Sequence, residues 1–132
     1  MNIDLREQTT KQITMAAEQA YPHECCGILL GRNENGRVVI VDSREAANQT
    51  AKEKSARHFE IDPLFLYQVE REIEGSNLEI VGFYHSHPDC KAVPSQQDLE
   101  CMIPGLIYAI LSVTKEGVVD IQFFPETAFA IE

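Results

Sequence analysis

Val81-Gly82-Phe83-Tyr84-His85-Ser86-His87-Pro88 closes an apolar run that starts at Leu78, and Pro94-Ser95-Gln96-Gln97-Asp98 follows it closely. The run reads as a strand stopped at Pro88, which has no N–H to give a sheet ladder. On a strand, side chains two apart face the same way, so His85 and His87 project together from its C-terminal end. Two imidazoles so placed can bind one ion, and Asp98 can swing in from the following helix as a third ligand. Two histidines and a carboxylate leave a coordination position for water, which is the layout of a catalytic zinc site rather than a structural one. Zinc would bring the pKa of that water toward ~7 and supply hydroxide at neutral pH. Plainer readings stand beside this one. A His-x-His pair also occurs as ordinary surface or core histidines, and Ser95-Gln-Gln-Asp98 makes a good helix capping box.

Working outward, Ile13, Ala16, Ala17 and Ala20 predict a helix from about Glu7 to Ala20, stopped by Pro22. Two apolar runs, Cys26 to Leu30 and Arg37 to Asp42, flank Asn35-Gly36 and read as a β-hairpin. The polar, aperiodic stretch from Glu45 to Arg57 reads as a loop. Asp62 as N-cap and Pro63 in the first turn open a second helix, with Leu66, Val69 and Ile73 as its buried stripe and Gly75 at its end. Ser95 starts a short helix. Ile107 to Val113 and Val118 to Phe124 make another hairpin around Lys115-Glu116-Gly117. Helices interleaved with hairpins predict an α+β fold with a mixed sheet.

The 132 residues suit one domain spanning residues 1–132, and 44% hydrophobic residues suffice for a core. Eleven basic against 21 acidic residues give a formal charge of -10, which should repel nucleic acid and attract a basic partner surface. The N-terminus lacks a basic segment followed by an apolar one, and no run approaches ~18 apolar residues. These features predict a soluble, unexported, cytoplasmic protein without membrane contact. Cys25, Cys26, Cys90 and Cys101 make a poor disulfide framework and read as small apolar fillers in a reducing compartment. His23 and His58 have no partner spacing; an exposed flank is the expected place for His23.

The chain resembles the JAMM (MPN+) metallopeptidases, whose signature is a glutamate, then His-x-His, seven residues, Ser, two residues and Asp. His85-Ser86-His87, residues 88 to 94, Ser95, Gln96-Gln97 and Asp98 match it position by position. Pro22-His-Glu-Cys-Cys-Gly-Ile-Leu-Leu-Gly31 resembles the segment that carries the family's glutamate, and the likeness extends over about residues 8 to 125. The resemblance implies a cytidine-deaminase-like architecture with helices flanking a mixed sheet, and one zinc per chain held by His85, His87 and Asp98. It further implies that Glu24 is the general base toward the zinc-bound water and then the acid toward the leaving amine. Ser95 would stabilise the oxyanion. Nothing local marks Glu24, since a lone glutamate before an apolar strand is ordinarily a solvated strand-start residue.

The family implies hydrolysis of an amide or isopeptide bond. The near-minimal length favours the small prokaryotic type, acting on the Gly-Gly tail of a ubiquitin-like or sulfur-carrier protein. Two other classes compete: a non-catalytic MPN scaffold, which would lack ligands that this chain keeps, and a non-haem iron enzyme with the same donor set. Cys90, three positions after His87, could imitate a thiolate ligand, but the matched pattern uses Asp98. Arg57-His58-Phe59-Glu60-Ile61-Asp62-Pro63 resembles a stretch of the small prokaryotic members and is expected to set the start of the second helix. Substrate, leaving group and oligomeric state stay open, with a homodimer among the alternatives.

Overall fold

The computed structural model describes residues 2–48, 61–125 and 129–131. In chain order the elements are β1 (Asn2–Leu5), α1 (Glu7–Ala20), β2 (Cys26–Glu34), β3 (Arg37–Ala46), α2 (Pro63–Ile73), β4 (Glu79–Pro88), α3 (Gln96–Cys101), β5 (Ile107–Thr114), β6 (Gly117–Phe124) and β7 (Phe129–Ile131). The strands form one sheet in the order β6-β5-β4-β2-β3-β1-β7. Pairing is parallel for β4 with β5 and for β1 with both β3 and β7, and antiparallel elsewhere. The sheet is therefore mixed, as the interleaved pattern implies.

Each local signal has a visible cause. Asn35 and Gly36 both take positive φ (50° and 81°), which is what a tight turn between twisted strands demands. The Asp62 side chain accepts a hydrogen bond from the Leu64 amide at 2.9 Å, capping α2. Helix α1 buries Thr9, Ile13, Ala16 and Ala17 against one face of the sheet. There Ile3, Leu5, Leu29, Ile40, Tyr84, Leu111 and Phe123 complete the larger core. On the opposite face α2 covers Ile28 and Leu30 with Val69, helped by the partly buried Leu66, Ile73 and Phe83. So two layers of helix enclose a sheet, with the second layer thin: of the predicted α2 stripe, only Val69 is fully buried.

Several expectations need correction. Strand β1 and the edge strand β7 are not legible in the sequence, because both are short, and Asp4 interrupts β1. Asp4 in β1 is 6% exposed and reaches Arg37 at 2.9 Å. Strand β3 runs on to Ala46, so Glu45 and Ala46 pair with Gly27 and Cys26 rather than sitting in a loop. Arg57 and His58 lie outside the described residues. Cys25 and Cys26 are buried, but Cys90 and Cys101 are exposed, so the filler reading holds for only the first pair. His23 is half-buried instead of exposed. No helix among the described residues is long and apolar enough to cross a membrane.

Candidate metal centre

Strand β4 carries both histidines to the middle of the sheet's end. Cys26 of β2 pairs with His85 on one side, and Ile110 and Ser112 of β5 pair with His85 and His87 on the other. An irregularity in the β2–β4 pairing, where Leu29 meets Gly82 but Leu30 meets Ile80, resets the alternation of β4. Downstream of it Phe83, His85 and His87 share the face toward α2, while Tyr84 and Ser86 point to the other.

The side chains converge closely. His85 Nε2 and His87 Nε2 are 3.2 Å apart, and Asp98 Oδ2 stands 3.2 Å from the first and 3.1 Å from the second. His85 is 1% exposed. Ligand atoms sharing one tetrahedral ion at ~2.0–2.2 Å lie about 3.3–3.6 Å from each other, close to this triangle. Hydrogen-bond roles point the same way. His87 Nδ1 faces the Lys91 carbonyl at 3.0 Å, and a carbonyl only accepts, so the Nδ1 nitrogen carries the proton. The neutral ring then turns a lone pair on Nε2 toward the lone pairs of Asp98, an acceptor against an acceptor. A cation relieves that clash, and a carbonyl-oriented imidazole is the usual form of a metal-ligating histidine. The donor set fits a metal ion.

Asp98 is aimed by its own helix cap. Its Oδ2 accepts from the Ser95 amide at 2.8 Å, and its amide donates to Ser95 Oγ at 3.0 Å. The capping box and the ligand reading are thus the same arrangement, because one carboxylate oxygen serves both. The Ser95 hydroxyl keeps its proton to donate elsewhere. Burial raises the Asp98 carboxyl, but with no ion present a histidine ring that takes a proton on Nε2 donates to Oδ2, and such hydrogen bonds outweigh burial and hold the carboxyl well below the usual carboxylate range. Burial drives His85 below the ordinary imidazole value. His87 feels the same desolvation, but Asp98, the Lys91 carbonyl and Glu24 together raise it.

Glu24 enters from the turn between α1 and β2. It is 4% exposed, and one ligand-type atom on each of Glu24, His85 and His87 lies within 4.8 Å of the others. Burial pushes its carboxyl up to about 8, with His87 opposing and Asp98 adding to the shift. Two openings meet at the cluster. A cleft of about 410 Å³ is lined by Glu24, His87, Cys90, Lys91 and Ser95. A larger apolar groove of about 670 Å³ starts at His85 and Asp98 and runs past Leu66, Phe83, Ile103 and Tyr108.

All five residues singled out from the sequence therefore meet around one point, with Ser95 and Glu24 on the cleft side. Cys90 also lines that cleft, but it is Asp98 that closes the triangle with the histidines. Sequence reasoning passed over Tyr21, whose hydroxyl donates to Asp89 at 2.9 and 2.8 Å and ties the turn before Glu24 to the loop after His87. It also left Ser86 and Asn48 without a part. The available signal for Ser86 was a hydroxyl on the face of β4 opposite the histidines; for Asn48 there was none.

The family described as prokaryotic homologs of the JAB domain matches residues 6–125. The chain is 34% identical over 110 residues to a desampylase of Haloferax volcanii, covering 83% of this chain and 76% of that protein. It is 32% identical over 79 residues to a probable TtuB-protein conjugate cleaving protease of Thermus thermophilus; those residues cover 60% of this chain and 49% of the relative. The solution structure of a Desulfitobacterium hafniense protein matches with a TM-score of 0.76 at 26% identity, covering 98% of this chain and 94% of that one. Because the family match takes in α1, the strands that frame the cluster and the cluster itself, the chain belongs to the prokaryotic homologs of the JAB domain.

Proposed function

We propose that this chain is a zinc-dependent JAMM-type isopeptidase, its residues 1–132 one domain, which hydrolyses an amide bond at the C-terminal tail of a ubiquitin-like or sulfur-carrier protein. The carrying observation is the triangle of His85 Nε2, His87 Nε2 and Asp98 Oδ2 with a buried glutamate beside it. The names of the Haloferax and Thermus relatives support the substrate class. In this reading His85, His87 and Asp98 hold the ion, which when bound supplies Lewis acidity and an activated water. Glu24 takes a proton from the attacking water and passes it to the leaving nitrogen. Burial pushes that carboxyl up to about 8, and a cation held by the neighbouring ligands would favour the ionised form that accepts the proton. Ser95, its oxygen already fixed by the Asp98 amide, donates its proton to the oxygen that gains charge.

The two openings offer a place for each side of the bond. Glu24 must face the departing amine, so the leaving group occupies the smaller cleft and the acyl tail the apolar groove. The proposed tail is the Gly-Gly end of such a carrier. The cytoplasm is the proposed compartment, in keeping with four free cysteines.

Incubation with a ubiquitin-like carrier bearing a C-terminal extension, followed by intact-mass measurement, tests the reading. The expected product is the trimmed carrier, with about one zinc per purified chain and no cleavage after chelation. Glu24→Gln should retain zinc and lose turnover by roughly 100-fold or more, whereas His87→Ala should lose both. Iron in place of zinc, or a Glu24→Gln variant that cleaves at full speed, would overturn it.

A further inference from the structure

Glu24 lies before the first residue of β2, where the β2–β4 ladder has ended; the last pair is Cys26 with His85. A residue at such a position would ordinarily be free to swing. Here the peptide group that joins Glu24 to Cys25 is held through both of its polar atoms, and in each case by a side chain. The Glu24 carbonyl accepts from Asn48 Nδ2 at 3.2 Å. The Cys25 amide donates to Ser86 Oγ at 2.9 Å in a buried setting. One bond further on, the Cys25 carbonyl accepts from the Ser86 amide at 3.1 Å. Ser86 is fully buried between the two histidines. Its hydroxyl thus stands where a continuing ladder would have offered a carbonyl, and the chain turns instead of running on along β4.

We infer that Ser86 and Asn48 are positioning residues for Glu24: they fix the plane of the Glu24–Cys25 peptide and, through it, the place of the carboxylate beside His87. This rests on the proton-transfer role proposed for Glu24. The same serine that separates the two histidines along β4 therefore also sets the distance between them and the glutamate.

The test uses the zinc-loaded protein and the extended-carrier substrate. Ser86→Ala is expected to lower kcat roughly 10- to 100-fold, the scale of a small misplacement of a reacting group, with KM and zinc content unchanged. Ser86→Thr, which keeps the hydroxyl, restores most of the rate. Asn48→Ala lowers kcat by about 5-fold, the scale of one lost hydrogen bond, and decides the matter if Ser86→Ala does not fold. In the Glu24→Gln background Ser86→Ala adds no further loss. Amide exchange at Cys25 is slow in the unmutated protein and faster in Ser86→Ala. Multiplying losses in the Gln background, zinc lost in parallel with kcat, or Cys25 exchange unmoved by Ser86→Ala would each overturn the inference. Full activity of Glu24→Gln alone would instead remove the proton reading, while Cys25 exchange still reports whether the clamp exists.

Discussion

Asp98 Oδ2 meets His85 Nε2, His87 Nε2 and the Ser95 amide at once, so one oxygen belongs both to a helix cap and to the candidate centre. Glu24 is the opposite kind of residue: a carboxyl with burial around it and no cap. Its value of about 8 in the metal-free protein, against 4.5 for an ordinary glutamate, has a consequence for stability. Below pH 4.5 the group is protonated whether the chain is folded or not, and contributes nothing. Between 4.5 and 8 the folded state keeps a proton that the unfolded state has released, so stability falls as pH rises and the loss is complete above 8. Metal-stripped Glu24→Gln should therefore equal the unmutated protein at pH 4 and exceed it by a few kcal/mol at pH 8.5. Urea unfolding across that range checks this; a gap that does not change with pH would rule it out.

Among the elements, β4 matters most, because it is the shared neighbour of β2 and β5 and carries both histidines. Its close parallel packing on β5 depends on Gly82, where an added Cβ would lie 1.9 Å from the Ile107 carbonyl oxygen. Gly82→Ala must push β4 and β5 apart three residues before His85. We expect a loss of about 2–4 kcal/mol in denaturant unfolding and reduced zinc occupancy after dialysis. Unchanged occupancy would mean that the histidine end of β4 moves independently of the pair at Gly82. The short helix α3 has no buried residue, so its cap rather than its packing holds Asp98 in place.

At the scale of the molecule, a metal bound only by the folded state stabilises the whole chain. At free zinc a hundredfold above Kd the gain is ~2.7 kcal/mol, and chelation should lower Tm by roughly 8 °C. Thermal melts with and without chelator, and after zinc is restored, measure it; a Tm indifferent to chelator would separate the cluster from any metal. The formal charge of -10 acts at the same scale, since a net negative surface attracts basic surfaces and repels phosphate backbones.

Periodicity alone set out α1, the two hairpins, the capped start of α2 and the pairing of His85 with His87 on one face, because helix and strand repeats are local. It also placed Ser95 and Asp98 in one cap, since that hydrogen-bond pattern spans only three residues. The strands β1 and β7 were beyond its reach: each is held by partners far along the chain, and each is too short to show a period. Glu24 came from the sequence only through the JAMM resemblance. What brings it to the histidines is the antiparallel register of β2 on β4, which sets Cys26 opposite His85 across a long stretch of chain. The same register seats Cys25 on Ser86, and the pairing of β2 with β3, Cys26 opposite Ala46, brings Asn48 to the Glu24 carbonyl. Such contacts are made between side chains and a peptide group with no periodic signature, so only the folded sheet decides them.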